Sequence, residues 1–123
     1  MTTTHPFLRA CRGEPTPYTP IWLMRQAGRY MAEYRAVRER FGFLELCHHP
    51  EAAAEVTVTA VEKLGVDAAI IFADILLLLE PLGVGLTFAA GDGPTLSRPV
   101  REPHDVQRLP DYDVDDALAY VYA

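Results

Sequence analysis

The chain has 123 residues, the usual length of one domain, and half of them are hydrophobic, enough to build a core. Its 17 acidic against 11 basic side chains leave a formal net charge of −6. That balance excludes the broad basic face of a nucleic-acid or anionic-membrane surface, and the frequent apolar runs exclude a disordered chain. In chain order, a short helical turn is predicted around Phe7–Cys11, followed by a loop that Gly13, Pro15, Pro17 and Pro20 punctuate too densely for regular structure. Ile21-Trp22-Leu23-Met24 directly follows a proline and reads as a buried strand, although four apolar residues can also open a helix. Tyr30 to Phe41 has helical spacing, with Met31, Tyr34, Val37 or Arg38, and Phe41 on one face, and Gly42 breaks it. Phe43–Cys47 reads as a further turn of helix.

The clearest helix is predicted from Pro50 to about Leu64. Pro50 suits the first helical position, Glu51 and Glu55 suit the positive N-terminal end, and Lys63 suits the other end. Ala53, Val56, Ala60 and Leu64 form its apolar stripe, and Gly65 is placed to terminate it. Ala68 to Phe72 is an apolar run without alternation, the pattern of a strand covered on both faces in a parallel sheet, and it ends near Asp74. Strand, helical crossover and strand together make an α/β unit. Val84–Phe88 and Leu96–Val100, separated by the turn chemistry of Ala90-Gly91-Asp92-Gly93-Pro94, read as a β-hairpin inserted after the second strand. Pro103, Pro110 and the aspartates 111, 113, 115 and 116 mark a loop, and Ala117–Ala123 reads as the start of a helix.

The N-terminus lacks the apolar stretch of a signal peptide, and the apolar run Ile75–Leu79, flanked by Asp74 and Glu80, is far short of a membrane span. Cys11 and Cys47 can form one disulfide at most. A reduced, cytoplasmic setting is the simpler reading.

Positive charge is concentrated locally: Arg25, Arg29, Arg35, Arg38 and Arg40 crowd one stretch of an acidic chain, which suggests a pocket for a small anion. Arg25 and Arg29 lie where the first predicted strand ends, and planar guanidinium groups suit carboxylates or phosphates. Gly28 between them allows a turn and close approach of a ligand. The alternative is that both arginines pair with surface acids. Asp74, just past the second predicted strand, occupies the kind of position that carries active sites in α/β barrels, or else caps the helical turn after it. Cys47-His48-His49 places three metal-ligand types together but has no second cluster to complete a tetrahedral site, so solvated histidines at a helix entry are the preferred reading. His5 and His104 stand alone, and Gly91-Asp92-Gly93 is turn chemistry without the Lys-Ser/Thr of a phosphate loop.

Three stretches are specific enough to suggest a family: Pro6 to Ala10; Thr19-Pro20-Ile21-Trp22-Leu23-Met24-Arg25-Gln26-Ala27-Gly28-Arg29-Tyr30; and Asp67 to Leu76. In order and in spacing, and with the Gly-Asp-Gly-Pro hairpin, they resemble uroporphyrinogen decarboxylase. The resemblance implies a (β/α)8 TIM barrel, of which residues 1–123 would be the N-terminal part: two β/α units and an inserted hairpin, since such a barrel takes about 250 residues. It implies removal of the acetate carboxylates of uroporphyrinogen III to give coproporphyrinogen III in haem and related tetrapyrrole biosynthesis, with no metal and no organic cofactor. By the same resemblance Asp74 and Arg25 are catalytic, and Arg25, Gln26, Ala27, Gly28, Arg29 and Asp74 contact the substrate. The implied partner is this small molecule, with no nucleic acid and no membrane, in a typically homodimeric enzyme. The 123 residues alone are not expected to turn over substrate. Ala73 stands where many members have serine, and Met31-Ala32 replaces a common leucine-proline; neither removes a charged group. Two alternatives are a related zinc-dependent corrinoid methyltransferase and a non-catalytic module that binds tetrapyrroles or pairs with another chain.

Overall fold

A computed structural model describes residues 4–89 and 93–123. The chain divides into two compact units, Met1–Arg40 with Ala54–Phe72, and Phe41–Ala53 with Ala73–Ala123.

The first unit holds α1 (Pro6–Cys11), α2 (Ala32–Arg40) and most of α4 (Pro50–Leu64). His5 caps α1, its ring nitrogen accepting from Phe7 N–H at 3.3 Å. Helix α2 begins two residues later than its spacing predicts; it buries Tyr34 and Val37, and Met31 just before it is buried too, three of the residues expected on that face. These lie in the core with Val56, Ala60 and Val66, and Tyr34 stacks obliquely on Phe72 at 5.6 Å. At the C-terminal end of α4, Gly65 adopts φ +62°, a left-handed conformation that costs glycine little, and its N–H closes on Val61 C=O at 2.9 Å. Thr57, buried on α4, accepts from Phe72 N–H at 2.9 Å, so its hydroxyl satisfies a backbone donor of the segment after the helix.

Neither predicted strand of this unit is formed. Ile21–Met24 and Ala68–Phe72 carry no ladder. Near their starts, the Asp67 N–H donates to Ile21 C=O at 2.9 Å, and the Asp67 carboxylate accepts from Ile21 N–H at 3.0 Å and Tyr18 O–H at 2.6 Å. This single tie is followed by side chains left in the open: Ile21, Trp22, Leu23, Met24, Ile70 and Ile71 are all exposed. An apolar parallel strand needs a bonded neighbour and a covering layer on each face, and an isolated pair is marginal in water.

Two donors hold Asp67 in its charged form: the Tyr18 hydroxyl first, then the Ile21 amide depress its pKa below the ordinary 3.8. A depressed acid contributes stability that is complete above its unfolded value and disappears as pH falls through the lower folded value. The melting temperature of the full-length protein should therefore exceed that of Asp67→Asn by a constant margin at neutral pH. That margin should close only below about pH 3.8. A gap that stays constant down to full carboxylate protonation would remove this role from Asp67.

In the second unit, α3 (Phe43–Cys47) has the predicted bounds, and its Leu46 is fully buried, worth about 2 kcal/mol relative to an exposed leucine. Glu45 reaches back to Gly42 N–H at 3.0 Å to cap α3. A 3₁₀ helix, Ile75–Leu79, forms the helical turn that the capping alternative for Asp74 placed there; it buries Leu77 and leaves Ile75 86 % exposed. The predicted hairpin is present as β1 (Leu86–Ala89) and β2 (Gly93–Leu96), antiparallel with Leu86 opposite Leu96. Its second arm starts earlier than the predicted Leu96–Val100, and the tip of the predicted turn, Ala90 to Asp92, lies outside the described residues. Phe88 of β1 packs on Phe43 of α3 at 4.6 Å.

Three short helices follow: α5 (Pro103–Val106), within the stretch predicted as a loop, then α6 (Val114–Ala117) and α7 (Ala119–Tyr122), where one helix from Ala117 was predicted. Asp105, nearly buried, accepts from Arg101 N–H at 2.8 Å and Glu102 N–H at 3.0 Å, bonds that lower its pKa. Cys11 is exposed and Cys47 buried, and neither is in a disulfide among the described residues. Among the described residues, no helix is long and apolar enough to cross a membrane.

Candidate functional site

The segment Arg25–Arg29 has no regular structure and is shaped by bonds to its carbonyl groups. Tyr30 O–H donates to Gln26 C=O, Met31 N–H donates to Gly28 C=O at 2.9 Å, and Arg35 Nη1 donates to Arg29 C=O at 2.8 Å. Gly28 was expected to allow a turn that a side chain would hinder, and a side chain there would indeed be crowded. Its φ is not positive. A Cβ there would lie 3.0 Å from the Tyr30 ring and 3.2 Å from Arg25 C=O, so glycine supplies room. The left-handed residue is Arg25 itself, φ 55°, and no other described non-glycine residue has a positive φ. A bulky side chain in that region stores about 1–2 kcal/mol of backbone strain, a cost that concentrates at functional positions.

Charge pairing sets these two arginines apart from four other cations of the chain. Arg9 pairs with Glu14, Arg40 with Glu55 at 2.9 Å, Lys63 with Glu33 at 3.1 Å, and Arg108 with Asp105. Arg25 and Arg29 are exposed and, among the described residues, have no carboxylate within salt-bridge reach. Among the described residues, then, neither neutralises a surface acid. Beside them the Gln26 side chain is 5 % exposed, and neither its Oε1 nor its Nε2 has a hydrogen-bond partner among the described residues. A buried carboxamide without partners costs on the order of 1–3 kcal/mol, which a polar ligand or a water can recover. Ala27 is half-buried in the same loop.

Asp74 lies in the second unit. It caps the 3₁₀ helix, with Oδ1 accepting from Leu76 N–H at 2.7 Å, so the capping reading is realised. Oδ2 makes no hydrogen bond among the described residues, and the side chain is half-buried. One oxygen is thus fixed by the backbone while the other is available to a donor.

The Cys47-His48-His49 cluster is occupied by structural contacts. His48 Nε2 lies 2.7 Å from Glu80 Oε2, with its ring edge-on to Tyr120 at 4.7 Å. His49 Nδ1 accepts from Ala52 N–H at 3.3 Å at the start of α4. Burial, with Glu80 and Cys47 nearby, pushes the Tyr120 hydroxyl up to about 12.

The family model for uroporphyrinogen decarboxylase (URO-D) matches residues 2–123. The chain belongs to the uroporphyrinogen decarboxylase family. It is 60 % identical over 117 residues to a curated uroporphyrinogen decarboxylase of Chloroflexus aurantiacus, a match that covers 95 % of this chain and 33 % of the relative. It is 56 % identical over 115 residues to that of Carboxydothermus hydrogenoformans, 94 % of this chain and 33 % of the relative. It is 55 % identical over 115 residues to that of Sorangium cellulosum, with the same coverage. The chain spans about a third of the length of these relatives. Family membership, first suggested by the motif around Met24–Tyr30, is thereby established.

The tie from Asp67 to Tyr18 and Ile21 was not legible in the sequence, since its partners are 49 and 46 residues away. Nor were the carbonyl straps from Tyr30 and Arg35. Their only sequence signal is a donor-rich stretch directly after the arginines.

Proposed function

We propose that the full-length protein that carries this chain is a uroporphyrinogen decarboxylase, acting on a polycarboxylate tetrapyrrole without metal or organic cofactor. The observation that carries this reading is the pair of exposed arginines, without carboxylate partners among the described residues, on either side of a buried Gln26 whose side-chain amide also lacks a partner there. Arg25 and Arg29 supply charge-assisted hydrogen bonds to substrate carboxylates. The amides and side chain around Gln26, Ala27 and Gly28 line the same loop. Asp74 faces the pyrrole N–H groups through the carboxylate oxygen that its capping role leaves open.

The reaction needs a place for electrons when carbon dioxide leaves. Protonation of a pyrrole ring carbon beside the acetate arm makes the ring cationic. The bond between the acetate methylene and its carboxylate then breaks, its electron pair flows into the ring, and carbon dioxide departs. A proton taken up at the exocyclic carbon makes the methyl group, and loss of the ring proton restores the pyrrole. A fixed carboxylate at Asp74 stabilises the positive charge as it develops, and Arg25 assists proton delivery.

The proposal extends to the fold: the chain supplies the first two β/α units of a TIM barrel. The exposed apolar segments Ile21–Met24 and Ile70–Ile71 support it, because strands of that composition become stable when barrel neighbours cover both edges and faces. Homodimerisation and a cytoplasmic setting, with no nucleic acid or membrane partner, belong to the same reading. It is tested by incubating the full-length protein with uroporphyrinogen III and separating the products by carboxylate number, with coproporphyrinogen III expected.

A further inference from the structure

We propose that Tyr30 and Arg35 are positioning residues that hold the Arg25–Arg29 loop in its carboxylate-binding shape; the inference rests on the reading of that loop as a substrate site. Two carbonyl groups of the loop are each held by a side-chain donor from the segment just after it. Tyr30 O–H donates to Gln26 C=O, and Arg35 Nη1 donates to Arg29 C=O at 2.8 Å. Tyr30 is 61 % exposed, so its hydroxyl is not there to satisfy a buried core. Its ring also closes over Gly28, where a Cβ would meet it at 3.0 Å. Arg35 likewise has no carboxylate within salt-bridge distance among the described residues, and its guanidinium bonds a neutral carbonyl instead. The Arg35 backbone belongs to α2, whose buried Tyr34 and Val37 make it a fixed anchor. The straps therefore transmit the rigidity of a packed helix to a loop that has no secondary structure, and they hold in place a strained Arg25.

The test uses the full-length protein with uroporphyrin, the stable oxidised octacarboxylate, and reads binding by porphyrin fluorescence. Tyr30→Phe removes one hydroxyl, and Arg35→Met removes the donors at similar length. Each is expected to weaken binding about 2- to 12-fold, the range of one net hydrogen bond, without lowering the melting temperature. The deciding readout is coupling. Made in an Arg25→Ala background, Tyr30→Phe should lose most of its effect, because the guanidinium that it positions has gone. A general loss of folding would instead add to the Arg25→Ala loss in full, and full additivity overturns the proposal. Parent-like binding in both strap variants overturns it as well, and with Arg25→Ala weakened this leaves the carboxylate site standing. Unchanged binding in Arg25→Ala itself overturns the site reading and the straps with it.

Discussion

Asp74→Asn in the full-length protein is expected to lower kcat for uroporphyrinogen by about 100- to 1,000-fold, the usual cost of removing one preorganised electrostatic group from a reacting centre. The substitution is chosen for what it keeps. Asparagine caps helical turns as well as aspartate does, so the bond from Leu76 N–H to Oδ1 survives and the 3₁₀ helix Ile75–Leu79 stays anchored. What disappears is the negative charge and the acceptor at Oδ2. Stability should therefore stay close to that of the parent while turnover collapses. Asp74→Ala should add a stability loss of about 1 kcal/mol from the missing cap. If Asp74→Asn retained near-normal turnover, Asp74 would be a cap and nothing more.

The second large effect is at Arg25. Replacing it should weaken binding of a porphyrin octacarboxylate by about 10- to 150-fold, the range of a hydrogen bond to a charged group. Two replacements separate the charge from the backbone. Alanine keeps a Cβ in the left-handed region, whereas glycine adopts φ 55° with little cost. Both should lose binding to the same extent. Arg25→Gly should nevertheless be at least as stable as Arg25→Ala in thermal melts, because relief of strain offsets the greater freedom of the unfolded chain. Intact binding in either variant would exclude Arg25 as a carboxylate ligand. A glycine variant clearly less stable than the alanine one would show that the strained angle is not a real cost.

The features legible in the sequence are those with local causes. Helix α4 begins at Pro50 and ends at Leu64 because a proline suits its first turn and Gly65 can turn left-handed after it. Helix α3 was legible for the same reason, between Gly42 and a histidine pair. The features that depend on distant partners were not. Ile21–Met24 and Ala68–Phe72 have the composition of parallel strands, but a strand is a relation between segments, and here the ladder partners and covering layers are missing. The hairpin was visible from its alternation, while its register depends on the connection between the arms, so the second strand fell at Gly93–Leu96.

The site shows the same division. Sequence chemistry singled out Arg25, Arg29 and Asp74, because fork-shaped cations and a carboxylate after an apolar run are visible as residue types. It placed at Gly28 a turn that a side chain would hinder, and it gave no sign of an unusual backbone angle nearby. The structure places that angle on Arg25, and Gly28 is glycine for lack of space. Which cations lack acids is likewise a three-dimensional fact. Glu55 neutralises Arg40 from 15 residues away, and no neighbour in sequence predicts it.

The central claim is tested most directly by product analysis: the purified full-length protein, incubated anaerobically with uroporphyrinogen III, its products oxidised and separated by carboxylate number. A stepwise shift from the octacarboxylate to the tetracarboxylate coproporphyrin is expected, sharply reduced in Asp74→Asn and Arg25→Ala. A folded parent protein that leaves the octacarboxylate unchanged would contradict it.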